Sequence, residues 1–110
     1  MKKGARPRYN DKFDTDRLYA YTRAKNQATY RKEVWNIDLD QWFGLWNSST
    51  LFYNRGTASH NVVLTRLNPT LPWCIDNIEI MSRTQQQRYK DKLVQQRRQQ
   101  IKEKLYALEG

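Results

Sequence analysis

His60, Asp76 and Asn77 are the side chains of this 110-residue chain best suited to acid–base or metal chemistry. His60 is its sole histidine, and imidazole is the one side chain whose ordinary pKa lies near neutrality, where it can take a proton from water. Asp76 offers a carboxylate oxygen to a hard cation. Asn77, next to it, offers a carboxamide that can orient a neighbour. Each also has a plain structural use. A loop histidine is commonly satisfied where it stands, and Asp-Asn is a turn signal. The single cysteine, Cys74, sits between Trp73 and Ile75; it excludes an internal disulfide and a Cys-rich zinc site and is expected to be a buried spacer.

Binding chemistry is written more densely. Twenty Lys and Arg stand against eleven Asp and Glu, a formal charge of +9. Residues 1–35 carry ten basic and four acidic groups, residues 36–82 two and four, and residues 83–110 eight and three. Two basic flanks around a nearly neutral centre suit a polyanionic partner. The candidates for phosphate contact are Arg23 and Lys25, Arg55, Arg66, and the series Arg83, Arg88, Lys90 and Lys92. Solvated helix faces, or an acidic protein partner, account for the same charge.

The elements that must position these groups follow from pattern and caps. Residues 1–13 contain Gly4, Pro7 and five basic side chains without periodicity and are expected to form a flexible basic arm. Asp14 or Thr15 is placed to cap a helix to about Lys32, with Leu18, Tyr21, Ala24 and Ala28 inward and Arg17, Arg23, Lys25, Arg31 and Lys32 outward. Asp38 and Gln41 have capping-box spacing ahead of a Trp42, Leu45, Trp46 core stripe. Residues 47–61 are polar and turn-rich and are expected to be a loop. Val62–Leu67 and the run from Ile78 to Met81 suit two strands of a hairpin, separated by the Pro69 and Pro72 loop. Ser82 and Gln85 form a second capping box, opening a helix toward Leu108. Val94, Ile101 and Leu108 recur every seven residues, too briefly to define a coiled coil, so docking of this helix on its own domain is expected before a dimer seam. The aromatic residues fall at core-like spacing and predict no base-stacking platform.

Helix, strand, loop, strand and helix with basic flanks resembles the HNH (ββα-metal) endonucleases, and in particular their small phage-borne members. In that family the first strand ends in a motif like D-H-I-D or D-R-I-D; a loop often closed by an aromatic residue, then D-N with an apolar strand, and a helix follow. The matching residues are Thr65-Arg66-Leu67-Asn68, Trp73, Asp76-Asn77 and Ile78 to Ser82, within a stretch from Val62 to about Lys92. Upstream, Arg23-Ala24-Lys25, the segment from Trp35 through Trp42 to Leu45-Trp46, and Arg55-Gly56 resemble the same small proteins. The resemblance covers roughly residues 15–92.

The fold it implies is α+β: a ββα-metal, HNH-like hairpin–helix core with N-terminal helices and a long C-terminal helix. It divides the chain into an arm over 1–13, an HNH-like domain over 14–92 and a helical extension over 93–110. Catalysis in that family takes a divalent cation such as Mg²⁺, held by a strand Asp and a helix His or Asn, with a His as base and an Asn to orient it. Here Thr65 stands for the strand Asp, Arg66 for the base, and Gln86 or its neighbours Gln85 and Gln87 for the helix ligand; Asn77 alone matches. A guanidinium stays protonated and cannot act as the base. The expectation is therefore a DNA-binding protein that has lost or altered its catalytic residues and needs no cofactor. Arg66 grips a phosphate in this reading, with an ion pair inside the fold as its alternative.

Two other readings stay open. One is an active nicking or homing endonuclease using Asp76 for the metal and His60 in catalysis. The other is a phage interaction protein that binds and inhibits a host protein or nucleoprotein complex. No apolar run reaches the roughly 18 residues of a membrane span, and the basic start is not followed by an apolar stretch. A cytoplasmic protein, monomer or homodimer, bound to double-stranded DNA and not to membrane is the corresponding expectation.

Overall fold

The computed structural model describes residues 11–109, so the basic arm lies almost wholly outside the described residues. The chain is α+β. Helices α1 (Lys12–Tyr30), α2 (Leu39–Leu45) and α3 (Ser49–Tyr53) precede strands β1 (Val62–Arg66) and β2 (Ile78–Ser82), and helix α4 (Arg83–Glu109) follows β2 directly. The strands pair antiparallel, with Val62 opposite Ser82 and Arg66 opposite Ile78. No helix among the described residues is long and apolar enough to cross a membrane.

Local chemistry accounts for the element ends. α1 begins three to four residues earlier than Asp14 or Thr15 would place it, because the Asp11 side chain accepts from the Asp14 amide at 2.7 Å and is the cap. Lys12 and Phe13 therefore belong to the helix and not to the arm. Both expected capping boxes form. Asp38 and Gln41 cap each other's backbone at α2, and the Gln85 amide donates to Ser82 Oγ while the Ser82 amide donates to Gln85 Oε1. The segment expected to be a loop over 47–61 instead contains α3, started by Ser48, whose side chain accepts from the Leu51 amide. A five-residue helix is too short to show periodicity, but it turns Phe52 into the core.

Tryptophans build that core. Trp46, Trp42 and Ile37 are almost fully buried, with Phe52, Ala20 and Ile78 around them. Rings follow one another at centroid spacings near 6 Å from Phe52 to Trp46, Trp42, Trp35 and Trp73. This chain of aromatics ties α2 and α3 to the loop that joins the strands, and Tyr21 of α1 joins it at Trp35 and Trp42. The backbone repeats the tie: Asn36 N donates to Trp73 O and Trp73 N to Val34 O.

Arg17, expected on the outer face of α1, is buried. It pairs with Asp14 and donates to Trp46 O at 3.0 Å, while its guanidinium lies between the rings of Phe13 and Phe43 at 3.8 and 4.3 Å. The carbonyl end of α2 supplies what a buried cation requires, and the two rings add cation–π attraction. A helix-wheel reading sees only the polar type of Arg17 and misses these partners.

Helix α4 departs furthest from expectation. Its first turns meet the hairpin, where Tyr89 Oη donates to Leu67 O at 2.5 Å. Beyond Leu93 it leaves the domain, and Val94, Ile101, Leu105 and Leu108 are about half exposed or more, Leu108 at 83%. The described residues span 72 × 27 × 21 Å with a radius of gyration of 18.3 Å, against about 13 Å for a compact chain of this length. The far half of α4 does not dock on its own domain.

Candidate nucleic-acid interface

β1, the facing side of α1 and the first turns of α4 enclose a groove of about 720 Å³. Its floor carries the two residues placed at the expected ligand positions. Thr65 is buried, and Gln86 Nε2 donates to its Oγ1 at 3.3 Å. A strand residue and a helix residue thus meet in the groove. What joins them is a neutral hydrogen bond between a hydroxyl and a carboxamide, both weak ligands for a hard cation.

Arg66, beside them, does not offer a free cation. Arg66 Nη2 meets Glu33 Oε2 at 3.1 Å and its Nη1 donates to Leu71 O, while Trp73 Nε1 donates to Glu33 Oε1 and the Arg66 guanidinium lies 5.4 Å from the Trp73 ring centre. The phosphate grip expected of it is corrected to the ion pair. Glu33 was not foreseen. It is set by the end of α1, where Lys32 adopts φ 62° and the Glu33 amide closes onto Ala28 O at 2.8 Å. This left-handed turn usually takes Gly or Asn, so the sequence carried no mark of it.

Among the described residues the remaining lining cations are Arg31, Arg55, Arg83 and Lys90, and Glu33 is the only carboxylate in the lining. Because Arg66 already neutralises Glu33, the described residues leave the groove four positive charges. Arg55 stands over Phe52 and Trp46 at 4.5 and 5.5 Å. The protein around its head group, and secondarily the charge of Arg23, pull its pKa below the ordinary arginine value, although the side chain as a whole stays exposed and ionised. Arg83 is aimed by its Nε donating to Gly56 O at 2.8 Å. Gly56 allows this through close approach: a methyl group there would lie 2.5 Å from Asn61 Oδ1, which itself accepts from the Ala58 amide. The Arg55-Gly56 pair is therefore a fixed corner that sets two of the four cations.

Of the other sequence candidates, Arg23 lines an adjoining hollow shared with Arg31 and Arg55. Lys25, Arg88 and Lys92 are exposed and line neither. At about 100° per residue, Arg83, Gln86 and Lys90 share one face of α4, and Arg88 and Lys92 fall on the other. Arg31, which does line the groove, was noticed only as one outward charge of α1.

His60 and Asp76 are not brought together. His60 precedes β1 and Asp76 precedes β2, so they flank opposite ends of an antiparallel pair, about 13 Å or more apart along the strands. Both are exposed, and among the described residues no three His, Cys, Asp or Glu side chains could hold a metal. Asn77 is buried and serves the loop. Its amide nitrogen donates to Asn68 O and Pro72 O, and its Oδ1 accepts from the Asn68 amide.

No family model, curated protein or solved structure matches the chain. Its reading rests on this geometry.

Proposed function

We propose that the protein binds duplex DNA through the groove between α1, β1 and α4, on a fold of the HNH (ββα-metal) kind whose catalytic positions hold a neutral Thr65–Gln86 contact and a closed Arg66–Glu33 pair. One observation carries this reading: four cations without an acidic partner among the described residues converge on those positions. A guanidinium and ammonium cluster at a concave surface attracts phosphates by displacing their counterions. Among the described residues the groove's one carboxylate, Glu33, is held by Arg66 and Trp73, so the chemistry that fits is holding the backbone and not cutting it.

Supercoiled plasmid incubated with Mg²⁺ or Mn²⁺ is expected to stay intact under conditions where a gel shift shows binding that weakens as salt rises. Metal-dependent nicking abolished by His60→Ala would instead favour the active-enzyme reading. Binding indifferent to salt would remove DNA from consideration.

The outer half of α4 favours a second, compatible reading, that of an interaction protein. Val94, Ile101, Leu105 and Leu108 form one apolar stripe. At helical spacing Arg97 and Lys104 border it on one side and Arg98 and Lys102 on the other. In a symmetric pair of α4 helices these cations would face one another. An amphipathic helix with acidic borders matches both the stripe and its edges. A Leu-rich helical peptide with Glu borders is expected to bind the full chain, and Ile101→Glu to abolish binding. Equal binding of the same peptide with Lys borders, or self-association of the free chain in sedimentation, would exclude the acidic-helix partner.

A further inference from the structure

The hollow next to the groove has a composition of its own. It is a shallow surface of about 1080 Å³ on the outer side of α1, closed at one end by α3. Tyr19, Tyr30 and Tyr53 line it, exposed by 66, 89 and 52%. Interleaved with them are Arg23, Arg31 and Arg55. Tyr19, Arg23 and Tyr30 are four and seven residues apart and so lie along one stripe of α1. The one carboxylate among its described residues, Asp16, accepts from Lys12 at 2.6 Å and Tyr53 at 2.7 Å and is thereby neutralised.

Aromatic faces alternating with cations are the elements by which single strands are held: bases stack on the rings, and guanidinium groups meet the phosphates and the base faces. Tyr53 is tied into the fold through Asp16 and Phe52, but structure alone gives Tyr19 and Tyr30 little other use, since most of the surface of each lies in solvent. Arg31 and Arg55 belong to both surfaces, which makes the hollow a continuation of the groove. Tyr19 and Tyr30 stand about 16 Å apart along the axis, the length of a few nucleotides.

We propose that this hollow binds unpaired nucleotides of a strand whose duplex portion lies in the groove, so that the protein prefers junctions between double and single strands. The inference rests on the DNA-binding reading and extends it. The tyrosines supply what the tryptophans, all committed to the core, do not.

The test compares a blunt duplex with the same duplex carrying a short thymidine overhang, by fluorescence anisotropy on the full chain. The overhang is expected to tighten binding about tenfold or more. Tyr19→Ala with Tyr30→Ala is expected to erase that gain while leaving blunt-duplex binding unchanged, and Tyr19→Phe with Tyr30→Phe to keep it, because the ring does the stacking. Circular dichroism confirms that the exposed substitutions leave the fold intact. If both duplexes bind equally, or the alanine variant keeps the gain, the hollow is not a strand site although the groove reading stands. If neither duplex binds in a salt-dependent way, the groove reading falls and the strand site falls with it.

Discussion

Replacing Arg31, Arg55, Arg83 and Lys90 together by Gln is expected to weaken duplex binding by roughly a hundredfold near 0.1 M salt, and to lower the slope of log affinity against log salt by about 3 to 4. Each phosphate contact releases close to one counterion, so the loss in slope counts the contacts removed. The reasoning is specific to the groove face. The triple variant Lys25→Gln, Arg88→Gln, Lys92→Gln removes nearly as much charge from positions outside the groove. It is expected to change affinity by only a few-fold, through long-range attraction. If the two variants lose equally, net charge and not the groove carries the binding. Arg66→Gln gives a third arm with a different signature, because it frees Glu33 within the groove. Affinity falls there through an uncompensated carboxylate and not through a lost phosphate contact.

The second large effect is on stability. Trp46 has no exposed surface and packs between the tilted ring of Trp42 and the edge-on ring of Phe52. Trp46→Ala is expected to cost about 3 to 5 kcal/mol in urea denaturation, a large part of the roughly 5 to 15 kcal/mol that holds a domain together. Trp46→Phe separates ring from nitrogen. The indole Nε1 is buried and has no acceptor among the described residues, so phenylalanine keeps most of the packing and removes an orphan donor. Its cost is expected to be near 1 kcal/mol or below. A loss as large as that of alanine would show that the nitrogen has a partner the packing argument omits. Since the Trp46 ring also lies beneath Arg55, the alanine variant is expected to loosen one groove cation as well.

What could be read from the sequence was whatever is encoded locally. The two capping boxes, the hairpin and its approximate ends, and the tryptophan core depend on residues a few positions apart, and the structure keeps them. The failures over Arg17, Arg66 and the paired use of His60 and Asp76 share a physical source: a partner that is remote in sequence. Arg17 reads as an outward cation, and Arg66 as a phosphate grip or an ion pair, until the α2 carbonyl end and Glu33 are brought to them. The capping role of Asp11 was hidden by Asp14, an equally good cap three residues later. Arg31 could have been singled out, since it follows Ala24 and Ala28 around the inner side of α1. The site tyrosines left a weaker trace, a stripe of Tyr19, Arg23 and Tyr30 that is polar enough to pass for solvent surface. His60 and Asp76 were legible as residue types, yet their separation needed the strand pairing.

Helix α4 has one more consequence, which comes from its continuity. It starts at the residue after the end of β2 with no connecting loop and runs unbroken to Glu109, while Tyr89 and Gln86 clamp its first turns to the hairpin. Lys90 in the groove and Ile101 on the stripe are therefore joined by a rigid shaft of about 16 Å. Deleting one residue between them shortens the shaft by only about 1.5 Å but rotates its far end by about 100°. The helix thus acts as a screw gauge: the number of residues between groove and stripe, more than their identity, sets the direction in which anything held at one end faces what is held at the other.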